Sequence, residues 1–253
     1  MILDKFKLSG KVAIVTGASR GIGKTLAIGL AEAGADIAGV ARGDLTITQK
    51  EVEKLGRKFL KINADIGAVG SVETVLKKAT SEFGSLDILV NNAGIIRRSP
   101  VVEFSDKDWD EVININLKAV FLLCREFSRI LIKQGRGGKI INIASMLSFQ
   151  GGILVPSYTA SKSAVVGLTR ALANELACKN INVNAIAPGY IETDNTETLR
   201  EDVVRNEEII KRIPAGRWGK PEDLVGAAVF LASDASSYMH GYTIAVDGGW
   251  LAR

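Results

Sequence analysis

Tyr158 and Lys162 lie four residues apart in a stretch whose pattern predicts a helix over 157–178. Residues at this spacing share one face of a helix, so the phenol and the ammonium are neighbours. A phenol with an ordinary pKa of about 10 is a poor base near neutrality, and a nearby ammonium favours its ionised form. Ser145, at the end of an apolar run, either caps that run or hydrogen-bonds an oxygen on which charge develops. These three side chains would suit proton transfer at a carbonyl oxygen while a hydride arrives at its carbon.

A glycine-rich turn separates the apolar run 11–16 from a helical pattern over 21–33. Gly17 would make the tight turn, Gly21 would admit a pyrophosphate, and Gly23 would let helix and strand pack closely. The N-terminus of the following helix adds unpaired N–H donors and a partial positive charge. The strand, turn and helix together predict a dinucleotide site, and the alternative is a glycine-rich turn without a ligand.

Short apolar runs alternate with helical patterns along the whole chain. Strands are predicted over 11–16, 35–40, 59–63, 86–91, 139–144, 182–187 and 242–246. Helices are predicted over 21–33, 46–56, 69–83, 106–134, 157–178, 196–211 and 221–232. The strand-like runs are almost continuously apolar, which is typical of parallel strands covered on both faces. We therefore expect a single α/β domain over 1–253, a doubly wound (Rossmann) parallel sheet of about seven strands with helices on both faces. Its ligand crevice should lie past the carboxyl ends of the strands.

The composition excludes several classes of protein. Of 253 residues, 47% are hydrophobic and 24% are charged, as in an ordinary globular protein. No apolar stretch approaches the roughly 20 residues of a membrane helix, and residues 1–10 lack an export signal, so we expect a cytoplasmic protein without a membrane partner. His240, Cys124 and Cys178 form neither a metal-binding nor a triad pattern, so no metal is expected. The net charge of +4 comes from scattered residues, which argues against a nucleic-acid partner.

The motifs and their order resemble those of the short-chain dehydrogenase/reductase family along the whole chain. The glycine turn has the spacing Gly-x-x-x-Gly-x-Gly, Asn91-Asn92-Ala93-Gly94 ends the fourth strand, and Pro188-Gly189 follows the sixth. The resemblance implies an oxidoreductase that transfers a hydride between a nicotinamide cofactor and a CH–OH group. Tyr158 would be the general acid/base and Ser145 would hold the reacting oxygen. Lys162 would lower the pKa of Tyr158 and hold the nicotinamide ribose.

The same resemblance assigns the remaining site residues. Asn116 would anchor a water that links Lys162 to solvent, with Asn114 as a competing candidate that the family alignment disfavours. Asp65 would contact adenine, or alternatively cap a helix. The expected catalytic set is Asn116, Ser145, Tyr158 and Lys162. The expected cofactor set is Gly17, Ser19, Arg20, Gly21, Ile22, Gly23, Arg42, Asp65, Ile66, Asn91, Ala93, Gly94, Tyr158, Lys162, Pro188, Gly189, Ile191 and Thr193.

The end of the second strand carries conflicting signals about NAD and NADP. An acidic residue there selects NAD through the ribose hydroxyls, but this chain has Ala41 at that position. Arg42 follows and could meet the 2′-phosphate of NADP, or lie on the surface against adenine. Asp44 could instead reach the ribose. The resemblance favours NAD slightly, and Arg42 permits NADP.

Polar and cationic loops surround the expected crevice. A guanidinium is the natural partner of a carboxylate, and similar sugar-acid reductases use the position of Arg98 rather than Arg97. The expected substrate set is Arg98, Ser145, Ser148, Gln150 and Tyr158, with 192–220 as a substrate-loop segment. The resemblance therefore implies a small anionic keto or hydroxy sugar acid, as in pectin or uronate breakdown, and a homotetramer. The alternatives are a gluconate 5-dehydrogenase, a 3-oxoacyl carrier-protein reductase and a non-catalytic dinucleotide-binding sensor.

Overall fold

Seven parallel strands form one sheet in the computed structural model, which describes residues 1–253. The strands are β1 (Val12–Thr16), β2 (Asp36–Ala41), β3 (Phe59–Asn63), β4 (Ile88–Asn91), β5 (Gly138–Ile143), β6 (Ile181–Pro188) and β7 (Thr243–Val246). Their order is β3-β2-β1-β4-β5-β6-β7, and every neighbouring pair is parallel. The predicted doubly wound α/β fold is confirmed, and the strand order reverses between β1 and β4, where such sheets bind ligands.

Helices cover both faces of this sheet. They are α1 (Gly21–Glu32), α2 (Thr46–Lys54), α3 (Ser71–Phe83), α4 (Asp106–Ile113), α5 (Ala119–Gln134), α6 (Pro156–Leu176), α7 (Glu197–Glu201), α8 (Val203–Arg212) and α9 (Val225–Ala232). One core, which includes Leu26 of α1 and Leu231 of α9, lies on one face of the sheet. The other core, which includes Phe127 of α5 and Leu76 of α3, lies on the opposite face. Burial on both sides explains why the strands read as continuous apolar runs.

The helix predicted over 106–134 is divided by a segment of different geometry. Residues Asn114–Lys118 form a π-helical turn between α4 and α5. Such turns are rare, and they occur often at functional sites because the extra residue redirects side chains. The segment turns Asn116 into the protein, where its side chain is fully buried.

The segment 192–220 holds α7 and α8 rather than the single helix predicted over 196–211. Asp202 separates the two helices, with an extended backbone and a side chain that accepts a hydrogen bond from Arg205 N. A short parallel bridge between Ile191 and Gly219 closes the base of the segment. No helix of the structure is both long and apolar enough to cross a membrane.

Candidate active site

A cleft of about 760 Å³ opens at the carboxyl ends of the central strands. Its wall contains the residues that follow β1, β4, β5 and β6. Of the residues predicted to bind a dinucleotide, those that line it are Gly17, Ser19, Arg20, Gly21, Ile22, Gly23, Arg42, Asp65, Ile66, Ala93, Gly94, Tyr158, Lys162, Pro188, Gly189, Ile191 and Thr193. The fold thus brings together side chains from six separate stretches of sequence in one cavity.

Asn91 is the one member of the expected cofactor set that does not line the cleft. Its side chain is buried and donates to Asn142 Oδ1 at 2.9 Å and to Cys124 Sγ at 3.2 Å. Neighbouring residues of a strand point to opposite faces, which places this amide in the core beneath the cleft. The side chain of Asn91 therefore joins β4 to β5 and α5.

The glycine turn forms a cradle with no side chain in it. Gly17 and Gly21 have positive φ angles of 71° and 50°, which favour glycine. A Cβ on Gly23 would collide with Gly17 O and with the amide of Asn92. The turn therefore leaves the N-terminus of α1 open toward the cleft, and its N–H groups and partial positive charge suit a pyrophosphate. The residues present fit a dinucleotide.

Thr16 and Asn92 support this cradle, and sequence reasoning gave them no role. The Thr16 hydroxyl accepts hydrogen bonds from the backbone of Asn92 and Ala93, each at 3.0 Å. The Asn92 amide donates to Thr16 O at 2.9 Å. These bonds fasten the end of β1 to the end of β4. A polar residue directly before Gly17 was the only signal in the sequence.

Lys162 lies beneath the Tyr158 ring, with its Nζ 5.7 Å from the ring centroid. The ammonium is buried and donates to Ile143 O at 2.6 Å, at the end of β5. Burial lowers the pKa of Lys162 from 10.5 to about 8. The pair thus lies on one face of α6, as the spacing predicted, and is joined to the end of a central strand.

The pKa of Tyr158 is raised above its ordinary value of 10.0 because burial disfavours the phenolate. The Ser145 hydroxyl and the positive charge of Arg98 act in the opposite direction and offset part of the rise. The expected lowering of this pKa by Lys162 is not seen, since the ammonium is itself desolvated and donates to a carbonyl. In this arrangement the phenol carries its proton at neutral pH.

Asn116 joins the π-helical turn to Ile95, the residue that follows the Asn-Asn-Ala-Gly motif. Its Oδ1 accepts from Ile95 N and its Nδ2 donates to Ile95 O, both at 2.9 Å. Asn114, the competing candidate, donates instead to Gly67 O at 2.9 Å. A Cβ on Gly94 would lie 3.2 Å from Asn116 Oδ1 and 3.8 Å from Lys162 Nζ, so Asn116 and Lys162 flank the same glycine.

Ser145 and Ser148 have different surroundings. Ser145 lines the cleft, and its Oγ accepts from Leu147 N at 3.1 Å, which leaves the hydroxyl proton free to be donated. The Ser148 hydroxyl accepts from Ser145 N at 3.2 Å and donates to Lys162 O at 2.7 Å. Ser148 does not line the cleft, and its bonds join the loop after β5 to α6. Its position is that of a support for Ser145 and Lys162.

Known proteins are similar to this chain over its whole length. The family described as enoyl-(acyl carrier protein) reductase matches residues 17–251. The 2-dehydro-3-deoxy-D-gluconate 5-dehydrogenase of Dickeya dadantii is 62% identical over 253 residues, which is 100% of both chains. The chain belongs to the short-chain dehydrogenase/reductase family.

Two further relatives carry sugar-acid names. The gluconate 5-dehydrogenase of Gluconobacter oxydans is 44% identical over 97% of this chain and 96% of its own. The crystal structure of a gluconate 5-dehydrogenase from Burkholderia cenocepacia, in complex with NADP and tartrate, superposes with a TM-score of 0.95 at 39% identity over the full length of both chains. Membership of the family makes this short-chain dehydrogenase/reductase an oxidoreductase.

The adenosine end of the cleft of this short-chain dehydrogenase/reductase holds Arg42, Asp44 and Asp65. Arg42 Nη1 lies 3.6 Å from Asp65 Oδ2, and both side chains are exposed. Asp65 Oδ1 accepts from Gly67 N at 2.9 Å. Asp44 Oδ1 accepts from the backbone and the hydroxyl of Thr46, which lowers its pKa. Asp44 is thus bonded to Thr46, the first residue of α2, and Arg42 is the charged group best placed for a ribose substituent.

The two neighbouring arginines at the substrate end differ in their partners. Arg97 lines the cleft but is paired with Glu111 at 2.8 Å and Asp108 at 3.4 Å. Arg98 forms no ion pair, and its Nη2 donates to Asn195 O at 3.3 Å. Arg98 also acts on the pKa of Tyr158 through its charge. Arg98 does not line the cleft, but of the two guanidiniums it is the one without a carboxylate partner.

Gln150 lies on the far side of the loop after β5. Its Oε1 accepts from Arg212 Nη2 at 3.3 Å, and the guanidinium of Arg212 stacks on the Trp250 ring at 4.0 Å. Gln150 does not line the cleft. Its amide nitrogen has no partner within the chain, so it remains a donor near the loop that carries Ser145.

Proposed function

We propose that this protein is a 2-dehydro-3-deoxy-D-gluconate 5-dehydrogenase that uses NADP or NAD. The observation that carries the proposal is the guanidinium of Arg98, which has no ion pair and whose charge acts on the Tyr158 phenol, beside a cleft whose other end fits a dinucleotide. A carboxylate held by Arg98 places the rest of a short sugar acid beside the phenol. The full-length identity to a dehydrogenase of this acid favours it over gluconate, whose dehydrogenase is less similar.

The reaction moves a hydride and a proton between cofactor, enzyme and substrate. A nicotinamide held by the residues of the cleft would supply the hydride for the carbonyl carbon, or take it up from the carbinol carbon. Tyr158 donates its proton to the carbonyl oxygen in reduction and takes it back in oxidation. Ser145 donates a hydrogen bond to the same oxygen, which stabilises the charge that develops there.

Lys162 and Asn116 support the phenol rather than the substrate. The ammonium lies beneath the Tyr158 ring and is fixed by its bond to Ile143 O, and we assign it to the nicotinamide ribose. Asn116 holds Ile95 by both its backbone groups, which fixes the chain beside Gly94 and Lys162. We assign the cofactor set of the sequence analysis to the cleft, with the exception of the side chain of Asn91.

We also propose that the enzyme is a cytoplasmic homotetramer. Large apolar side chains are exposed on α5 and around β7, among them Phe121 at 40%, Ile132 at 49% and Tyr242 at 58%. Apolar groups of this kind on helix faces suit contact with further copies of the chain.

The whole chain would act as one domain, with 192–220 as its substrate loop. Light scattering after gel filtration measures the assembly directly.

The decisive assay follows the absorbance of NADPH and NADH with purified protein and three carbonyl substrates. These are the 2,5-diketo-3-deoxy acid, 5-keto-D-gluconate and acetoacetyl thioester. We expect turnover of the deoxy diketo acid with a higher kcat/KM than for 5-keto-D-gluconate. Turnover of the thioester alone would mean that the substrate is an acyl thioester and not a sugar acid. Cofactor binding without any turnover would favour a non-catalytic sensor.

A further inference from the structure

A carboxylate of the substrate loop is paired with the glycine turn. Asp194 Oδ2 lies 2.5 Å from Arg20 Nη1, although 174 residues separate them in the chain. Both residues line the cleft. The two segments also approach each other at their backbones, since a Cβ on Gly21 would lie 3.6 Å from the methyl group of Thr193. The first residues of the loop therefore lie directly over the glycine turn.

Arg20 is one of two guanidiniums that flank the adenosine end of the cleft. The other is Arg42, and the turns that carry them touch, because a Cβ on Gly43 would lie 3.5 Å from Ser19 Oγ. Arg20 directly follows Ser19, so its side chain leaves the backbone beside this corner. In the structure it points to the loop and meets Asp194.

The two guanidiniums are held with different strength. Arg42 lies 3.6 Å from Asp65, which is longer than a hydrogen bond, whereas Arg20 and Asp194 are in hydrogen-bond contact. Asp44 forms an ion pair with neither, and its Oδ1 accepts two hydrogen bonds from Thr46. Asp194 is the only carboxylate within ion-pair distance of Arg20.

We propose that Asp194 is a specificity-determining residue for the cofactor. By pairing with Arg20 it withdraws one positive charge from the ribose corner, so that a 2′-phosphate is recognised by Arg42 alone. Neutralising Asp194 releases Arg20 toward that corner and raises the preference for NADP over NAD. The inference rests on the proposed dinucleotide site, and it concerns a residue of the substrate loop rather than the end of β2.

The test measures binding of two cofactor fragments, 2′,5′-ADP and 5′-ADP, by calorimetry. Their ratio of Kd isolates the contribution of the 2′-phosphate and is unaffected by a change in the amount of folded protein. We expect Asp194→Asn to raise the preference for 2′,5′-ADP by about twofold to fivefold, the range that an exposed ion pair allows. The matched control is Glu197→Gln, an exposed carboxylate of the same loop without an ion pair, and it should leave the ratio unchanged.

A second background shows whether the effect passes through Arg20. In an Arg20→Gln protein, Asp194→Asn should no longer change the ratio. An unchanged ratio in the single variant, or an equal increase in both backgrounds, would overturn the role of Asp194 while leaving the dinucleotide site intact. If the unmodified protein bound neither fragment, the proposed cofactor site itself would be wrong. The ratio of kcat/KM for NADPH and NADH should follow the ratio of Kd.

Discussion

Replacing Lys162 by methionine should make the protein more stable at neutral pH while it abolishes turnover. The ammonium is buried, and no carboxylate neutralises it. Burial lowers its pKa from 10.5 to about 8. At about 1.4 kcal/mol for each tenfold change in proton affinity, the charged form costs the folded state roughly 3 kcal/mol at neutral pH.

Methionine has a similar length and no charge, so it removes this cost. It also removes the hydrogen bond to Ile143 O, which offsets about 1 kcal/mol of the gain. The net stabilisation expected for Lys162→Met is about 2 kcal/mol, or about 4–8 °C in Tm for a chain of this size. A charge kept at this cost indicates selection for the reaction rather than for stability.

The pH dependence identifies the cause. A lysine whose pKa is lowered on folding binds fewer protons in the folded than in the unfolded chain between its two pKa values. The free energy of unfolding of the unmodified protein should therefore rise from pH 8 toward 10.5, relative to Lys162→Met. Below pH 8 the difference between the two proteins should be constant and should favour the variant.

Denaturant unfolding at a series of pH values measures this difference. The exposed lysine Lys133 supplies the control, and Lys133→Met should change neither the stability at pH 7 nor its pH dependence. A Lys162→Met protein that is less stable than its parent at pH 7 would refute the reasoning. A stability difference that does not depend on pH would refute it equally.

Three further predictions concern activity. Tyr158→Phe should lower kcat by at least about a hundredfold while 2′,5′-ADP binds as before, and retained turnover would remove the acid/base assignment. Because burial raises the pKa of Tyr158, oxidation of the hydroxy acid should become faster with rising pH and reduction of the keto acid slower, and a pH-independent oxidation rate would contradict this. Arg98→Ala should raise KM for the acid about tenfold and change kcat less. The control is Arg170→Ala, which changes a surface arginine without an ion pair. An unchanged KM in Arg98→Ala would refute the carboxylate contact.

The strands were predicted well because a buried strand has a continuous apolar run in its own sequence. Continuous apolar runs such as 11–16 and 182–187 lie within one or two residues of β1 and β6. The helices were less well predicted. The π-helical turn at Asn114–Lys118 holds Asn116 against Ile95, a distant contact that the helical periodicity of 106–134 does not record. The break at Asp202 has a local cause, the bond of its side chain to Arg205 N, which the periodicity of 196–211 also does not record.

The candidate site shows the same division between local and distant information. The spacing of Tyr158 and Lys162 predicted their shared face, because four residues along a helix fix that geometry. The pKa of Tyr158 was predicted in the wrong direction, since it depends on how much solvent the whole fold removes from the phenol. No local sequence pattern predicts how much water the fold excludes from the phenol.

By itself, the sequence determined which chemical groups the protein has and the order in which they follow strands and helices. The glycine turn, the tyrosine, the lysine and the serine follow from that order, because a parallel sheet collects the ends of its strands at one edge. Only the tertiary structure paired Arg97 with Glu111 and Arg20 with Asp194. A guanidinium is free or occupied according to the carboxylate that the fold brings beside it, and that partner can lie anywhere in the chain.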